Sequence, residues 1–278
     1  MKIVIAPNEN KDVRFEVTKA VIEELASHGA EIYVNEALNI EADGVRLYNH
    51  FPADADAIVV IGGDGTILRA ADYAIRFDIP LVGINLGRLG YMSEVAPTQI
   101  SLLSELFTGN YTVEEKMLLS LSVDDTGAPE RLVINEVVFS SSNPMELTCL
   151  LLEDRYGTTL KYRADGLILS TPVGSTAYSL SAGGPIVLQD HPSILVTPIC
   201  PHSFFDRSII FSDKETLSVR CGAQSSLNIT IDGRPFGVLN AGVACRVRRS
   251  EKNLKMITFH KENRTSALFS KMRSLDEI

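Results

Sequence analysis

The chain has no Cys-x-x-C pair. Cys149, Cys200, Cys221 and Cys245 stand far apart, so neither a zinc site nor a dense disulfide framework is indicated, and a reducing compartment suits it. No apolar run approaches the roughly 20 residues needed to span a bilayer. The chain enters directly into Lys2-Ile3-Val4-Ile5 without a signal-like apolar core. Together these absences predict a cytoplasmic protein, neither secreted nor embedded in a membrane. Basic residues are in deficit as well: 26 Lys and Arg against 35 Asp and Glu give a net charge of −9. That balance repels polyanions and argues against nucleic acid or an anionic membrane as partner, so any phosphate the protein binds must be held locally. There is no Gly/Ser or Pro-rich linker, no internal repeat and no low-complexity tract.

What is present suffices for a full core. The 278 residues are 45% hydrophobic and 22% charged, enough for one large or two ordinary soluble domains. Ile3 to Ala6 reads as a strand, and Val13, Val17, Val21 and Leu25 repeat as one helix face that stops at His28-Gly29. Strands are then expected at Glu31 to Val34, Ala57 to Ile61 and Pro80 to Ile84, with a helix from Ile67 and another from Thr98 to Phe107. This is the rhythm of a Rossmann-like open α/β sheet, in which ligands sit outside the carboxyl ends of the strands.

From about Val113 the period changes to short alternating strands: Leu119, Leu121, Val123; Leu147, Cys149, Leu151; Leu217, Val219, Cys221; Leu227, Ile229, Ile231; and Val243, Cys245, Val247. Asp125-Thr126-Gly127, Ser142-Asn143-Pro144 and Asp232-Gly233 separate them as turns. The expected fold class is therefore α/β plus all-β: an α/β domain over residues 1–112 and a β-rich, sandwich-like domain over 113–249. Arg246, Arg248, Arg249, Lys252 and Lys255 read as a charged edge strand rather than a polyanion site.

Gly62-Gly63-Asp64-Gly65-Thr66 follows the buried run Ala57 to Ile61 and precedes a helical pattern, so three glycines and a carboxylate occupy a strand-to-helix turn. Glycine lets backbone N–H groups approach a ligand, and the helix start adds the positive end of its dipole. This predicts a phosphate site; an ordinary turn with an Asp or Thr cap is the alternative. No Walker-type loop occurs. Asn85 to Tyr91 forms a second glycine-rich turn at the same sheet edge.

Asp165-Gly166 leads through a strand into Thr171 to Pro185, dense in hydroxyls and small residues. Buried hydroxyls each need a partner, so this segment reads as a polar binding loop, with a purely structural loop as the alternative. Asn135-Glu136 sets an amide and a carboxylate in an apolar strand, where they face opposite sides; a turn-edge or satisfied interior pair is the default reading, and the alternative is an amide suited to the edge of an adenine.

As a set these residues resemble the NAD kinase family. Gly62 to Thr66 resembles its glycine-rich aspartate motif, Asn135-Glu136 its Asn-Glu pair, and Asp165 to Gly184 its long signature, with Val173 where Thr or Ser is common. Leu89-Gly90-Tyr91, and Pro201-His202-Ser203 with Arg207, resemble further stretches of that family. Ser208 stands where the family often has Pro, and Phe204-Phe205 adds bulk, so the shape of that loop departs from the pattern. The short glycine motif is shared with lipid kinases; the long signature is far more specific.

The resemblance implies ATP-dependent phosphorylation of the 2′-hydroxyl of the adenosine ribose of NAD, giving NADP, with a divalent metal, usually Mg2+. By resemblance Asp64 is the general base, with helix capping or orientation of magnesium as its alternatives, and Gly62, Gly63, Gly65 and Thr66 cradle the diphosphate. Asn135 and Glu136 bind the adenosine moiety, while Asp165, Thr176, Ala177, Tyr178 and Ser181 hold the dinucleotide. Tyr91 forms a wall of the adenosine site or packs as a core tyrosine, Arg163 contacts substrate, and His202 serves the nicotinamide end or is a loop histidine. Metal ligands are not specified. Residues 250–278 would return to the first domain, and a homodimer or homotetramer is expected. Competing readings are a dinucleotide sensor without catalysis, which would not need Asp64, and a lipid or sugar kinase, which would not need the long signature.

Overall fold

The structure, a computed structural model, describes residues 1–87, 91–124, 127, 129–143, 147–202, 206–222 and 226–259. Two compact units result: Met1–Lys116 with the described residues from Leu254 to Phe259, and Met117–Asn253. Leu89-Gly90, Asp125-Thr126, Pro144, Ser203, Phe204-Phe205 and residues 260–278 of the returning segment lie outside the described residues.

In the first unit β1 (Lys2–Pro7), α1 (Glu16–Ser27), β2 (Glu31–Asn35), β3 (Val45–Tyr48), β4 (Ala57–Gly62), α2 (Asp64–Phe77) and β5 (Leu81–Asn85) build a parallel sheet in the order β5-β4-β1-β2-β3. The expected open α/β sheet is what forms. β4 is buried along its whole length between β1 and β5, which is why Ala57 to Ile61 is an uninterrupted apolar run. Val45 to Tyr48, an edge strand of only four residues, was not expected; its side chains are at most half-buried, so no strong apolar pattern marks it.

Two helices differ from the sequence reading. The row starting at Val13 does not begin the first helix: Val13 is 75% exposed and α1 starts at Glu16. Asp12 is responsible, its buried carboxylate accepting the Thr18 N–H at 2.8 Å, the Thr18 hydroxyl at 2.6 Å and the Val17 N–H at 3.3 Å. The helix expected over Thr98 to Phe107 is a 3-10 segment, Pro97–Ser104, followed by a short α3 (Glu105–Thr108). Ser104 and Thr108 hydroxyls bond the carbonyls three residues back, a local alternative that competes with the α pattern. Leu103 and Leu106 still point into the core.

The second unit is antiparallel throughout. After β6 (Thr112–Val123), which starts in the first unit, come β7 (Arg131–Val133), β8 (Glu136–Ser141), β9 (Thr148–Glu153), β10 (Thr159–Ala164) and β11 (Gly166–Ser170). A one-turn α4 (Tyr178–Ser181) precedes β12 (Ser193–Ile199), β13 (Ile209–Ser212), β14 (Thr216–Cys221), β15 (Leu227–Ile231), β16 (Arg234–Leu239) and β17 (Ala244–Thr258). One sheet runs β13-β12-β11-β8-β15-β16; the other contains β10-β9-β14-β17, with β6 beside β17. A single apolar cluster drawing on both, including Leu119, Phe139, Leu152, Leu167, Val219 and Val247, fills the space between them, so the unit is a sandwich.

Two details correct the sequence reading. In β9 the inward row is Thr148, Leu150 and Leu152, not Leu147, Cys149 and Leu151. Both rows are largely apolar, so alternation could not choose the phase. β17 is not an edge strand. It lies between β14 and β6, and near its end Met256 lies parallel to Leu81 of β5. Four of its cations are matched: Arg246 with Asp124 at 2.8 Å, Arg248 with Glu130 at 2.7 Å, Arg249 with Asp213, and Lys255 with Asp78 at 2.6 Å.

Candidate functional site

The glycine turn of the first unit is very short. β4 ends at Gly62, extended Gly63 is the N-cap, and Asp64 is already the first residue of α2. Gly62 must be glycine because a Cβ there would lie 2.4 Å from the Thr66 hydroxyl oxygen. That hydroxyl also accepts a bond from the Asn8 side-chain amide at 2.9 Å, tying the turn to the segment after β1. Asp64 does not cap its own helix. Its Oδ2 accepts the Tyr91 backbone N–H at 2.8 Å and its Oδ1 the Met92 N–H at 3.2 Å, so the second glycine-rich turn holds the carboxylate in place. An ionised carboxylate offers about four acceptor positions, and two are used here. The others remain for a hydroxyl or a metal ion. Tyr91 is thus half-buried beside Asp64, fixed to it through its backbone.

Lys11, a residue the sequence reading passed over, belongs to this turn. Its ammonium lies 3.0 Å from where a Cβ on Gly63 would sit and 3.7 Å from the equivalent point on Gly87. Nothing in the Asn8 to Lys11 stretch marks this, because the lysine reaches the turn only once β1 lies beside β4.

In the second unit a cavity of about 650 Å³ lies on the outer face of the six-stranded sheet. Strand alternation decides its lining: Glu136, Val138 and Ser140 of β8 and Asn228 and Thr230 of β15 face it, while Val137, Phe139, Leu227 and Ile229 face the core. Asp165 and Tyr178 border the same space. Three of the sequence candidates, Glu136, Asp165 and Tyr178, are therefore brought together from positions up to 42 residues apart.

Glu136 is buried, and its carboxyl is pushed up to about 7 by that burial and then by the neighbouring Asp232, against which the Tyr178 backbone N–H acts. Its Oε2 has no hydrogen-bond partner among the described residues. A buried, unmatched carboxylate oxygen at a cavity is costly unless a ligand donor meets it. Asn135 is held by its backbone: its N–H donates to Asp232 Oδ1 at 2.7 Å and its carbonyl accepts the Thr171 N–H at 2.9 Å. Its side chain is half-exposed.

In the sequence Asp232 reads only as half of an Asp-Gly turn. With φ of 47° at Asp232 and 74° at Gly233, the pair makes the tight β15–β16 hairpin, and the Asp232 carboxylate also accepts N–H groups from Ile134 at 2.9 Å and Glu136 at 3.2 Å. Burial raises its carboxyl while the three N–H donors pull it down.

The hydroxyl-rich loop behaves differently from the sequence expectation. Thr171, Ser175 and Ser179 are fully buried and satisfied internally: Thr171 Oγ1 donates to the Ile134 carbonyl at 2.7 Å, Ser175 Oγ to the Pro172 carbonyl at 2.7 Å, and Ser179 shares a bond with Thr197 at 2.9 Å. Thr176 donates to the Val173 carbonyl at 3.0 Å. These hydroxyls shape the loop, leaving Tyr178 and Ser181 exposed and Ala177 half-buried. Gly174 packs so closely that a Cβ would lie 2.0 Å from the Asn135 carbonyl oxygen, locking the loop to the Asn-Glu pair. Arg163 and His202 are both exposed and adjacent, the His202 N–H donating to the Arg163 carbonyl at 2.7 Å.

Two family models match, the ATP-NAD kinase N-terminal domain over residues 3–111 and the ATP-NAD kinase C-terminal domain over residues 134–259. This chain belongs to the ATP-NAD kinase family. Relatives named NAD kinase include one from Lachnoclostridium phytofermentans, 33% identical with 92% of this chain and 93% of that protein covered. Another, from Caldanaerobacter subterraneus subsp. tengcongensis, is 34% identical with 94% and 95% covered. Among solved structures, an NAD kinase from Archaeoglobus fulgidus in complex with ATP superposes with a TM-score of 0.78 at 26% identity, covering 99% of both chains. Yeast NADH kinase complexed with NADH shares the fold, with a TM-score of 0.82 at 24% identity, covering 95% of this chain and 84% of that one. ATP-NAD kinase membership agrees with the two-domain architecture, a parallel α/β sheet followed by an antiparallel β unit.

Proposed function

We propose that this chain transfers the γ-phosphoryl group of ATP to the 2′-hydroxyl of the adenosine ribose of NAD, giving NADP and ADP. The observation that carries the reading is the Asp64 carboxylate, aimed by two backbone N–H groups at the glycine turn and keeping acceptor positions free. In the transfer the ribose O2′–H bond breaks with its proton passing to Asp64, the O2′–Pγ bond forms, and the bond from Pγ to the β-phosphate oxygen breaks. Such reactions depend mainly on positioning and charge neutralisation, so a weak base with late proton transfer suffices.

Gly62, Gly63, Gly65 and Thr66 would hold phosphates through the N-terminus of α2, with the Lys11 ammonium at hand. Glu136 and Asp165 would receive ribose hydroxyls in the second unit's cavity, Asn135 would bond the adenine edge, and Tyr178 offers a stacking ring. Thr176, Ala177 and Ser181 would line the path of the dinucleotide, Tyr91 would wall the adenosine, and Arg163 and His202 would meet its far end.

Among the described residues no cluster of three metal-ligating acidic, histidine or cysteine side chains occurs. A magnesium ion commonly takes only one or two carboxylates besides substrate phosphates, so the free acceptor positions of Asp64 fit such an ion. When bound, it would neutralise charge on the transferring phosphoryl group. No helix among the described residues is long and apolar enough to cross a membrane.

The test is direct: incubate the protein with ATP, magnesium and NAD, and assay NADP with an NADP-specific dehydrogenase. NADP accumulation is expected; none with any divalent metal would remove the reading.

A further inference from the structure

The turn that aims Asp64 is itself anchored from behind. Tyr91 and Met92 give their backbone N–H groups to the Asp64 carboxylate at 2.8 and 3.2 Å, and the chain then runs directly onto β5. The N–H groups of Glu94 and Val95 both donate to the Gly83 carbonyl at 3.1 Å, and the Val95 carbonyl accepts the Asn85 N–H at 2.9 Å. Ser93, in between, is fully buried and lies so near β5 that a Cβ on Gly83 would stand 3.1 Å from its Cα. Glycines at 87 and 90 precede Tyr91 in the sequence and bring no side chain of their own, which throws the restraint of Tyr91 and Met92 onto Ser93 to Val95.

From this stretch the half-buried Glu94 reaches the end of β17. Its Oε1 accepts the Thr258 hydroxyl at 2.6 Å and the Phe259 backbone N–H at 2.9 Å, across 164 and 165 residues of sequence. Both are short bonds to a carboxylate, a class roughly twice as strong as bonds between neutral groups. Two residues earlier β17 pairs with β5 through Met256 and Leu81. Glu94 therefore closes a bracket made of β5, the turn and the strand end, all within the first unit.

We propose that Glu94 is a positioning residue for the phosphoryl transfer: by fastening the end of β17 to the turn of Tyr91 and Met92, it fixes the direction in which the Asp64 carboxylate meets the acceptor hydroxyl. The proposal rests on the kinase reading above and extends it to a residue that acts through another. A misplacement of about 1 Å at the reacting groups can cost 100-fold in rate, so a bracket behind the turn bears directly on turnover.

The experiment measures kcat and KM for Glu94→Ala, Glu94→Gln and Thr258→Val in the full chain. Glu94→Ala should lower kcat by about 10- to 100-fold, with KM for NAD and for ATP changed only a few-fold. Glu94→Gln keeps an oxygen acceptor for both donors and should recover most of that loss. Thr258→Val removes one donor at nearly constant shape and should fall between wild type and Glu94→Ala. In an Asp64→Asn background Glu94→Ala should cost little more, because the route through Asp64 is already gone, whereas a merely structural role would add its full loss. Amide hydrogen exchange reads the bracket without activity: Tyr91 and Met92 should exchange faster in Glu94→Ala. If wild type forms no NADP the kinase reading falls by itself, and the exchange rates still decide whether Glu94 holds the turn. Should Glu94→Ala fail to fold, Thr258→Val carries the same comparisons. Unchanged kcat in a folded Glu94→Ala, full additivity with Asp64→Asn, or unaltered exchange at Tyr91 and Met92 overturns the proposal.

Discussion

The Asp232 carboxylate accepts the backbone N–H of Asn135 at 2.7 Å across 97 residues of sequence. With the N–H groups of Ile134 and Glu136 it anchors the start of β8, where the proposed adenosine contacts lie. Asp232→Ala leaves three backbone donors without their acceptor, and the expected loss of stability is about 3 kcal/mol, read as a lower urea midpoint. Asp232→Asn, which keeps one acceptor oxygen, should lose less. Equal midpoints for wild type and the alanine variant would refute the anchoring role.

Glu136 links pH to stability. Its carboxyl is raised from 4.5 to about 7 in the folded chain, so the native state binds that proton more tightly than the unfolded state. Its contribution is fully present below pH ~4.5 and is lost as pH rises through ~7, a change of up to about 3 kcal/mol. Asp232, also raised, works in the same direction. Subtracting the Glu136→Gln profile from wild type isolates the glutamate. NAD affinity should run oppositely, strengthening as Glu136 ionises to accept ribose hydroxyls, and a pH-flat difference in both measurements would contradict the assignment.

Asp64→Asn should lower kcat by roughly 100-fold or more, with KM for NAD changed only a few-fold. The structure adds a second expectation. An asparagine presents an NH2 to one of the two N–H groups from Tyr91 and Met92, so the variant should also melt at lower temperature. Near-normal turnover in a folded variant would take Asp64 out of the base role.

Asn135→Ala separates binding from stability. The backbone of Asn135 makes the bonds to Asp232 and Thr171, so they survive the substitution, and the melting temperature should hardly move. NAD binding should weaken by about 1–3 kcal/mol through lost hydrogen bonds. Calorimetry showing unaltered NAD affinity would place the side chain outside the adenosine site.

Gly174→Ala tests the closeness of loop and strand. A Cβ there would lie 2.0 Å from the Asn135 carbonyl oxygen, so either the loop moves or the chain loses more than about 3 kcal/mol of stability. A variant with wild-type stability and NAD affinity would show that the contact is dispensable.

The sequence by itself determined the elements whose signals are local. The buried run Ala57 to Ile61 followed by glycines made a parallel strand and a strand-to-helix turn, because a strand covered on both faces has no polar row to alternate. Resemblance to a family's motifs pointed to Glu136, Asp165 and Tyr178, which the fold gathers around one cavity. Only the tertiary structure decided which apolar row of β9 faces inward, that β17 lies inside its sheet, and that Thr171, Ser175 and Ser179 build the loop rather than line it. It also brought Asp232 to the Asn-Glu pair, Lys11 to Gly63 and the Tyr91 N–H to Asp64. The physical reason is the same in each case. A carboxylate or ammonium finds its partner by the pairing of strands distant in sequence, and no periodicity within a single segment records that choice.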